Sequence, residues 1–165
     1  YRADFNFNEE DLLSSKKRLD KFYRIKKRVY GGAKSAVNKL FKTKILDALN
    51  DDINTAKALS VVDELITEAN DTLDKEPKNK NFKKELLANI EFVNDTLGIG
   101  LQDAYEYFQF GIGQKEVKSI TELIINRSNA KKEKNFELSD KYRDELSAMG
   151  ISLMDTVNGT VWEKN

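Results

Sequence analysis

The chain has 165 residues, 39% hydrophobic and 34% charged, and its 28 basic and 28 acidic side chains cancel to a formal net charge of zero. Having neither cysteine nor histidine, it offers no disulfide, no conventional zinc ligand set and no imidazole for acid, base or nucleophilic chemistry. No apolar run approaches the roughly 20 residues that span a bilayer and no secretory h-region opens the chain, so a soluble, cytoplasmic helical protein is expected.

The first helix is predicted to start at Asn8, a good N-cap. Glu9, Glu10 and Asp11 follow at the positive end of the dipole, and Phe7 and Leu12 are placed as a hydrophobic staple. It should run to about Tyr30, where Gly31-Gly32 stops it, with Leu12, Leu19, Phe22, Tyr23 and Val29 as its apolar stripe. Eight Lys and Arg side chains between Lys16 and Arg28 make this the one dense basic surface. A solvated helix face is the plain reading of such a run. Lys17, Lys21 and Arg24 are the alternative, as phosphate contacts.

A second helix is predicted over Ser35 to Leu49, with Val37, Leu40, Phe41, Ile45, Ala48 and Leu49 on one side, and a third from Thr55 to about Leu73. Between them, Asp52 and Asn54 read as turn and N-cap residues. A hard-cation site at Asp51, Asp52 and Asn54 would lack the EF-hand spacing and its closing Glu. The stretch 74–81 holds the only proline, Pro77, and reads as a mobile connection. A fourth helix follows over about Phe82 to Leu97, closed by Gly98. Four narrow apolar stripes joined by short loops imply an antiparallel four-helix bundle.

Beyond Gly100 a short helix through Leu101, Ala104, Tyr105 and Phe108 is interrupted by Gly111 and Gly113. The expected organisation is a bundle over 1–113, with a linker from about residue 100, and a second module over 114–165. The aromatics Tyr105, Tyr107, Phe108 and Phe110 suit packing or, alternatively, base stacking. Two further helices, about Glu116 to Lys134 and Phe136 to Met149, run into Gly150 and a β-hairpin turning at Asn158-Gly159, with Ile151, Leu153 and Val161 on its apolar face. The fold class expected is mainly α, a four-helix bundle followed by a small α+β module of two helices and a hairpin. No glycine cluster has phosphate-loop spacing and no carboxylate has a partner to poise it near neutrality, so the chain reads as non-catalytic.

The run from Arg127 through Ala130, Lys134, Phe136, Asp140, Arg143, Leu146, Gly150, Ile151, Leu153, Asp155, Thr156, Gly159, Thr160 and Trp162 resembles the pattern "ER..AR..KDF..AD.IR..L...GI.L.DT..GT.W". That pattern is characteristic of the C-terminal domain of cysteinyl-tRNA synthetases. Asp51, Asp52, Asn54, Thr55, Ala58 and Leu59 resemble a second signature of that family, "M.DDFNTP.AL", with Ile53 for Phe and Ala56 for Pro. Tyr1-Arg2 and Asp4-Phe5 are similar to "HYR.PL.FS", a segment just beyond the catalytic core, and the missing His of that pattern suggests a fragment. Departures are Lys131 for Arg, Asn135 for Asp and Ser139 for Ala.

The resemblance implies a DALR-like bundle and a module that grips the GCA anticodon of cysteine tRNA. Carried over, the anticodon-binding residues are Lys131, Phe136, Asp140, Arg143, Asp155 and Trp162, with Arg127 and Lys134 joining Lys17, Lys21 and Arg24 on the tRNA backbone. Asp155 is expected to project off the hairpin edge, where a carboxylate can accept from the paired donors of guanine or the amino group of cytosine. Phe136 and Trp162 have core packing as their alternative, Asp140 a helical ion pair and Asp155 a turn role. No cofactor is implied for the fragment; ATP and zinc would belong to the absent catalytic core, with its "HIGH" and "KMSKS" motifs. The implied partners are cysteine tRNA and the catalytic domain of the same parent chain, with the protein a monomer and no membrane involved. The competing expectation is a helical protein-interaction module that does not bind RNA.

Overall fold

Asparagine starts most of the long helices. In the computed structural model, which describes residues 8–156 and 159–164, α1 (Glu9–Arg28), α2 (Lys39–Asn50), α3 (Thr55–Lys75), α4 (Lys80–Leu97) and α7 (Phe136–Ala148) are capped by Asn8, Asn38, Asn54, Asn79 and Asn135. Each carboxamide oxygen accepts the backbone N–H three residues on. It thereby satisfies a donor that the helix cannot, a contribution of about 1 kcal/mol per cap. Among the long helices α6 (Gln114–Lys132) starts otherwise, on Gly113 with no side-chain cap. A short α5 (Ala104–Phe108) and the hairpin strands β1 (Ile151–Thr156) and β2 (Gly159–Lys164) complete the described elements. The protein is mainly helical, with one small antiparallel sheet, and divides into two compact units, Tyr1–Ala104 and Tyr105–Asn165.

In the first unit α1 to α4 bury Phe22, Ile25, Ile45, Val62, Leu73, Leu86 and Ile90 in a common core. Four expected stripe positions, Leu12, Leu19, Tyr23 and Leu40, are not in it. Leu12 is 55% exposed and Leu40 68%, while Ile25, absent from the expected stripe, is buried. The second helix starts at Lys39 rather than Ser35, because the chain before it pairs with α4. Ser35 N–H donates to Lys84 O and Asn38 N–H to Asn89 Oδ1, and a residue spent on those bonds is not available to an earlier helical turn. In the α2–α3 turn Asn54 is the N-cap and Asp52 a turn residue, as expected. Asp52 and Ile53 make the turn in the left-handed region at φ 54° and 53°, a conformation that costs a β-branched residue most. The Phe7 staple and the Asn158 turn position lie outside the described residues.

A strap over 98–103 closes this unit. Lys26 Nζ donates to Gly100 O at 2.7 Å and to Gln102 O at 2.8 Å, and Gln102 N–H donates to the Tyr23 hydroxyl at 3.2 Å. Burial lowers the Lys26 ammonium and raises the Tyr23 hydroxyl from their ordinary pKa values. Gly100 is at φ +72°, and a Cβ there would lie 2.2 Å from the Phe22 ring. Only glycine lets the strap pass.

In the second unit Ile120, Leu146, Ile151 and Trp162 form the core, with Val117, Leu123, Ile124 and Leu153 against it. The hairpin register pairs Leu153 with Trp162, Met154 with Val161 and Asp155 with Thr160. Alternation then puts Ile151, Leu153, Trp162, Asp155 and Thr160 on one face. Val161 falls on the other face, so Trp162 and not Val161 completes the apolar side.

Two kinds of substitution test the backbone reading. Gly100→Ala adds a steric clash to a left-handed cost and should destabilise the first unit by about 2–4 kcal/mol, more than Gly111→Ala, where φ is +86° but the space is open. Ile53→Asn, on an exposed side chain, should raise stability by up to about 1 kcal/mol. Urea denaturation of the three variants measures both; equal losses at Gly100 and Gly111 would remove the clash from the account.

Candidate nucleic-acid interface

The site is organised by a cation inside the second unit. Arg127 lies one helical turn before Lys131 on α6, and its side chain is 8% exposed. A guanidinium taken out of water must be paired, or it costs several kcal/mol. Asp155 supplies the pair. Its two oxygens accept from Arg127 Nη1 and Nη2 at 2.9 and 3.0 Å in a bidentate fork, and Lys131 Nζ donates to Oδ2 at 2.8 Å. From the facing strand the Thr160 hydroxyl donates to Oδ1 at 2.7 Å. Hydrogen bonds from Arg127, then Lys131, then Thr160 hold the Asp155 carboxyl far below the ordinary carboxylate range, and Asp155 in turn raises the Arg127 guanidinium. Among the described residues Arg127 Nε is buried with no partner.

This geometry changes several sequence expectations. Asp155 does not project off the hairpin edge: the register turns it toward α6, although it stays 49% exposed. A carboxylate has about four lone-pair sites, and protein donors direct four bonds at it. Arg127, expected on the tRNA backbone, is buried in the clamp instead. Trp162, expected at the anticodon, is 7% exposed and belongs to the core. Lys134 does not extend α6 but follows it at φ 60°, exposed.

The remaining residues gather on one surface. Phe136, Asp140 and Arg143 are spaced i, i+4 and i+7 on α7, which puts them on one helix face. All are exposed, while Ser139 and Leu146, on the adjoining side of the helix next to Arg143, are buried. Phe136 is 64% exposed. The fold makes little use of this ring, which stands at the first position of α7, just after Lys134.

In the first unit the basic face is less free than its composition suggests. Lys16 pairs with Asp20, Arg18 with Asp63, Arg28 with Asp74 and Asn70, and Lys26 holds the strap. Lys17, Lys21 and Arg24 remain exposed along α1.

Comparison with known proteins places this arrangement. A DALR domain matches residues 44–102. The cysteine–tRNA ligase of Aliarcobacter butzleri is 66% identical over 99% of this chain and 35% of its own length. Those of a Nitratiruptor species and of Helicobacter pylori are 56% and 49% identical over the same shares. By sequence, nearly the whole chain is similar to a part of these cysteine–tRNA ligases. It spans about a third of the length of the relatives it matches. Zinc does not fit the residues present, since the chain has no thiolate or imidazole, and no group of three or more acidic side chains is arranged to hold a cation among the described residues.

The clamp makes a pH prediction. Because the Asp155 pKa is depressed on folding, its stabilisation is present above the unfolded carboxylate value, about 3.9, and is lost as pH falls from there toward the folded value. Asp155→Asn should therefore unfold the second unit about 1–3 kcal/mol more easily at neutral pH, a figure kept low by the exposure of the carboxylate. The gap to the unmodified protein should narrow below about pH 4. Denaturation followed by the fluorescence of Trp162, the one tryptophan, reports on this unit; a gap unchanged at about pH 3 would show that the charge of Asp155 is immaterial.

Proposed function

We propose that the chain is a tRNA-binding part of a cysteine–tRNA ligase whose second unit holds the anticodon loop of cysteine tRNA. The parent's ATP-dependent aminoacylation then resides in a catalytic domain outside this sequence, and this part acts by binding alone. The observation that carries the reading is the exposed face of α7. A large aromatic ring is left in solvent beside a carboxylate and a guanidinium, with Lys131 and Lys134 preceding it in sequence. Unstacked loop bases are recognised by such a set: a ring to stack on, charged groups for base edges, and cations for the backbone.

Phe136 is the stacking platform in this proposal, Asp140 and Arg143 read base edges, and Lys134 with Lys17, Lys21 and Arg24 meets phosphates. Trp162 and Arg127 act from inside, by holding the hairpin. Asp155 takes a base donor only by giving up one of its own. Arg127 is buried and bidentate, whereas Lys131 is 43% exposed and contributes one bond, so Lys131 is the donor that yields. Its ammonium is then free for an RNA oxygen. A lysine makes this exchange more readily than an arginine, whose fork would hold the carboxylate twice.

The test is binding of cysteine tRNA and of an anticodon-swapped tRNA, with variants. Phe136→Ala should cost about 1–3 kcal/mol of affinity with melting within about 0.5 kcal/mol of the parent stability, as for other exposed side chains. Lys131→Met should flatten the salt dependence by up to about 0.9. Equal binding to both tRNAs, or none, would favour a protein-interaction module instead.

A further inference from the structure

The chain has two methionines, both in the second unit, and their surroundings differ. Met149 is half-buried and packs against the core of that unit. Met154 is 39% exposed. It stands on β1 opposite Val161, and alternation turns it to the hairpin face away from Leu153, Asp155 and Trp162. Its sulfur is not bare, however. The Tyr105 hydroxyl, on a side chain only 5% exposed, donates to it. A second bond fixes this approach from the other strand, where Gln109 Nε2 donates to Trp162 O at 2.7 Å. The 105–109 segment is therefore fastened to both strands of the hairpin, and the hydroxyl is held at the sulfur.

A thioether sulfur has two lone pairs. Oxygen placed on one gives one sulfoxide epimer, and oxygen placed on the other gives the opposite epimer. In a freely rotating side chain the two are reached alike. At Met154 the fold makes them unequal, because the covered tyrosine takes one lone pair and an oxidant arriving from solvent must use the other.

We propose that Met154 is a site of reversible oxidation by peroxides, attacked on a single lone pair so that one sulfoxide epimer forms. That lone pair attacks a peroxide oxygen and the O–O bond breaks. One oxygen stays on sulfur, and the other leaves as hydroxide and takes up the remaining proton to become water. Sulfur thus gives two electrons to the peroxide. Tyr105 is the guard: it blocks the second approach and, as a donor, draws density from the lone pair it covers. With no cysteine of its own, the chain depends on a thiol reductase for repair, in which two thiols become a disulfide and the sulfoxide oxygen leaves as water. Such reductases each accept one epimer, so a single-epimer site is restored by one of them alone. The face concerned is turned away from Asp155, which separates this chemistry from the RNA contact.

The test treats the folded protein with hydrogen peroxide and follows oxygen uptake at each methionine by peptide mass spectrometry. The Met154 peptide is then divided between the two epimer-specific sulfoxide reductases, each supplied with a dithiol. Met154 should oxidise sooner than Met149, since exposure governs susceptibility. One reductase should restore at least about fivefold more of the Met154 peptide than the other, the scale of one hydrogen bond. Oxidation in urea, where the guard is lost, should yield both epimers alike. Tyr105→Phe keeps the ring and removes the donor, and should bring the epimer ratio toward one. The proposal is overturned if the folded protein yields both epimers equally, if Met149 oxidises first, or if Tyr105→Phe, folded by its melting transition, keeps the epimer ratio of the unmodified protein.

Discussion

A guanidinium sealed into a small helical module dictates much of how that module is built. Arg127 cannot be left unpaired, and the fork it presents fits one carboxylate held in one plane. Asp155 meets that demand only in the observed register, where it stands opposite Thr160 and on the same face as Leu153 and Trp162. Slipping the hairpin by one residue would turn Asp155 outward and strand the cation. The same slip would carry Trp162 out of the core. Electrostatics and apolar packing therefore choose the same register, and a two-stranded sheet, marginal by itself, becomes well defined.

The bundle is fixed by different means. Its helices are started by side chains, since the Asn carboxamides take up donors that the helices leave over, and its last segment is fastened by Lys26 and Tyr23. Much of the positive charge on α1 is committed to these internal duties and to pairs with α3. What remains for a polyanion is a narrower set than the composition of the helix suggests.

Helix positions are legible in the sequence because both signals that mark them, the 3.6-residue apolar period and the Asn caps, are local. The start of α2 escapes those signals because Ser35 and Asn38 answer to partners on α4, Lys84 and Asn89, far along the chain. The burial of Arg127 is not legible either. An arginine in a charged helix looks solvated, and its partner, 28 residues downstream, is identified only by strand register. Phe136 and Trp162 are open to both core and contact readings in the sequence; burial separates them, because cross-strand pairing with Leu153 takes one ring inward and the first position of α7 leaves the other in solvent. For the surface residues Asp140 and Arg143, position on a shared helix face is readable from spacing alone.

The strap over 98–103 has a consequence for how this protein can change over time. Lys26 grips it by carbonyl oxygens, which every residue type presents alike, and Gly100 admits it past Phe22 by having no side chain at all. The hold therefore ignores the side chains of Leu101 and Gln102, while a change at Lys26 or Gly100 removes the fastening itself. Identity at two positions thus releases two neighbouring ones to drift, so this segment is free to acquire new surface chemistry without a cost to the bundle beneath it.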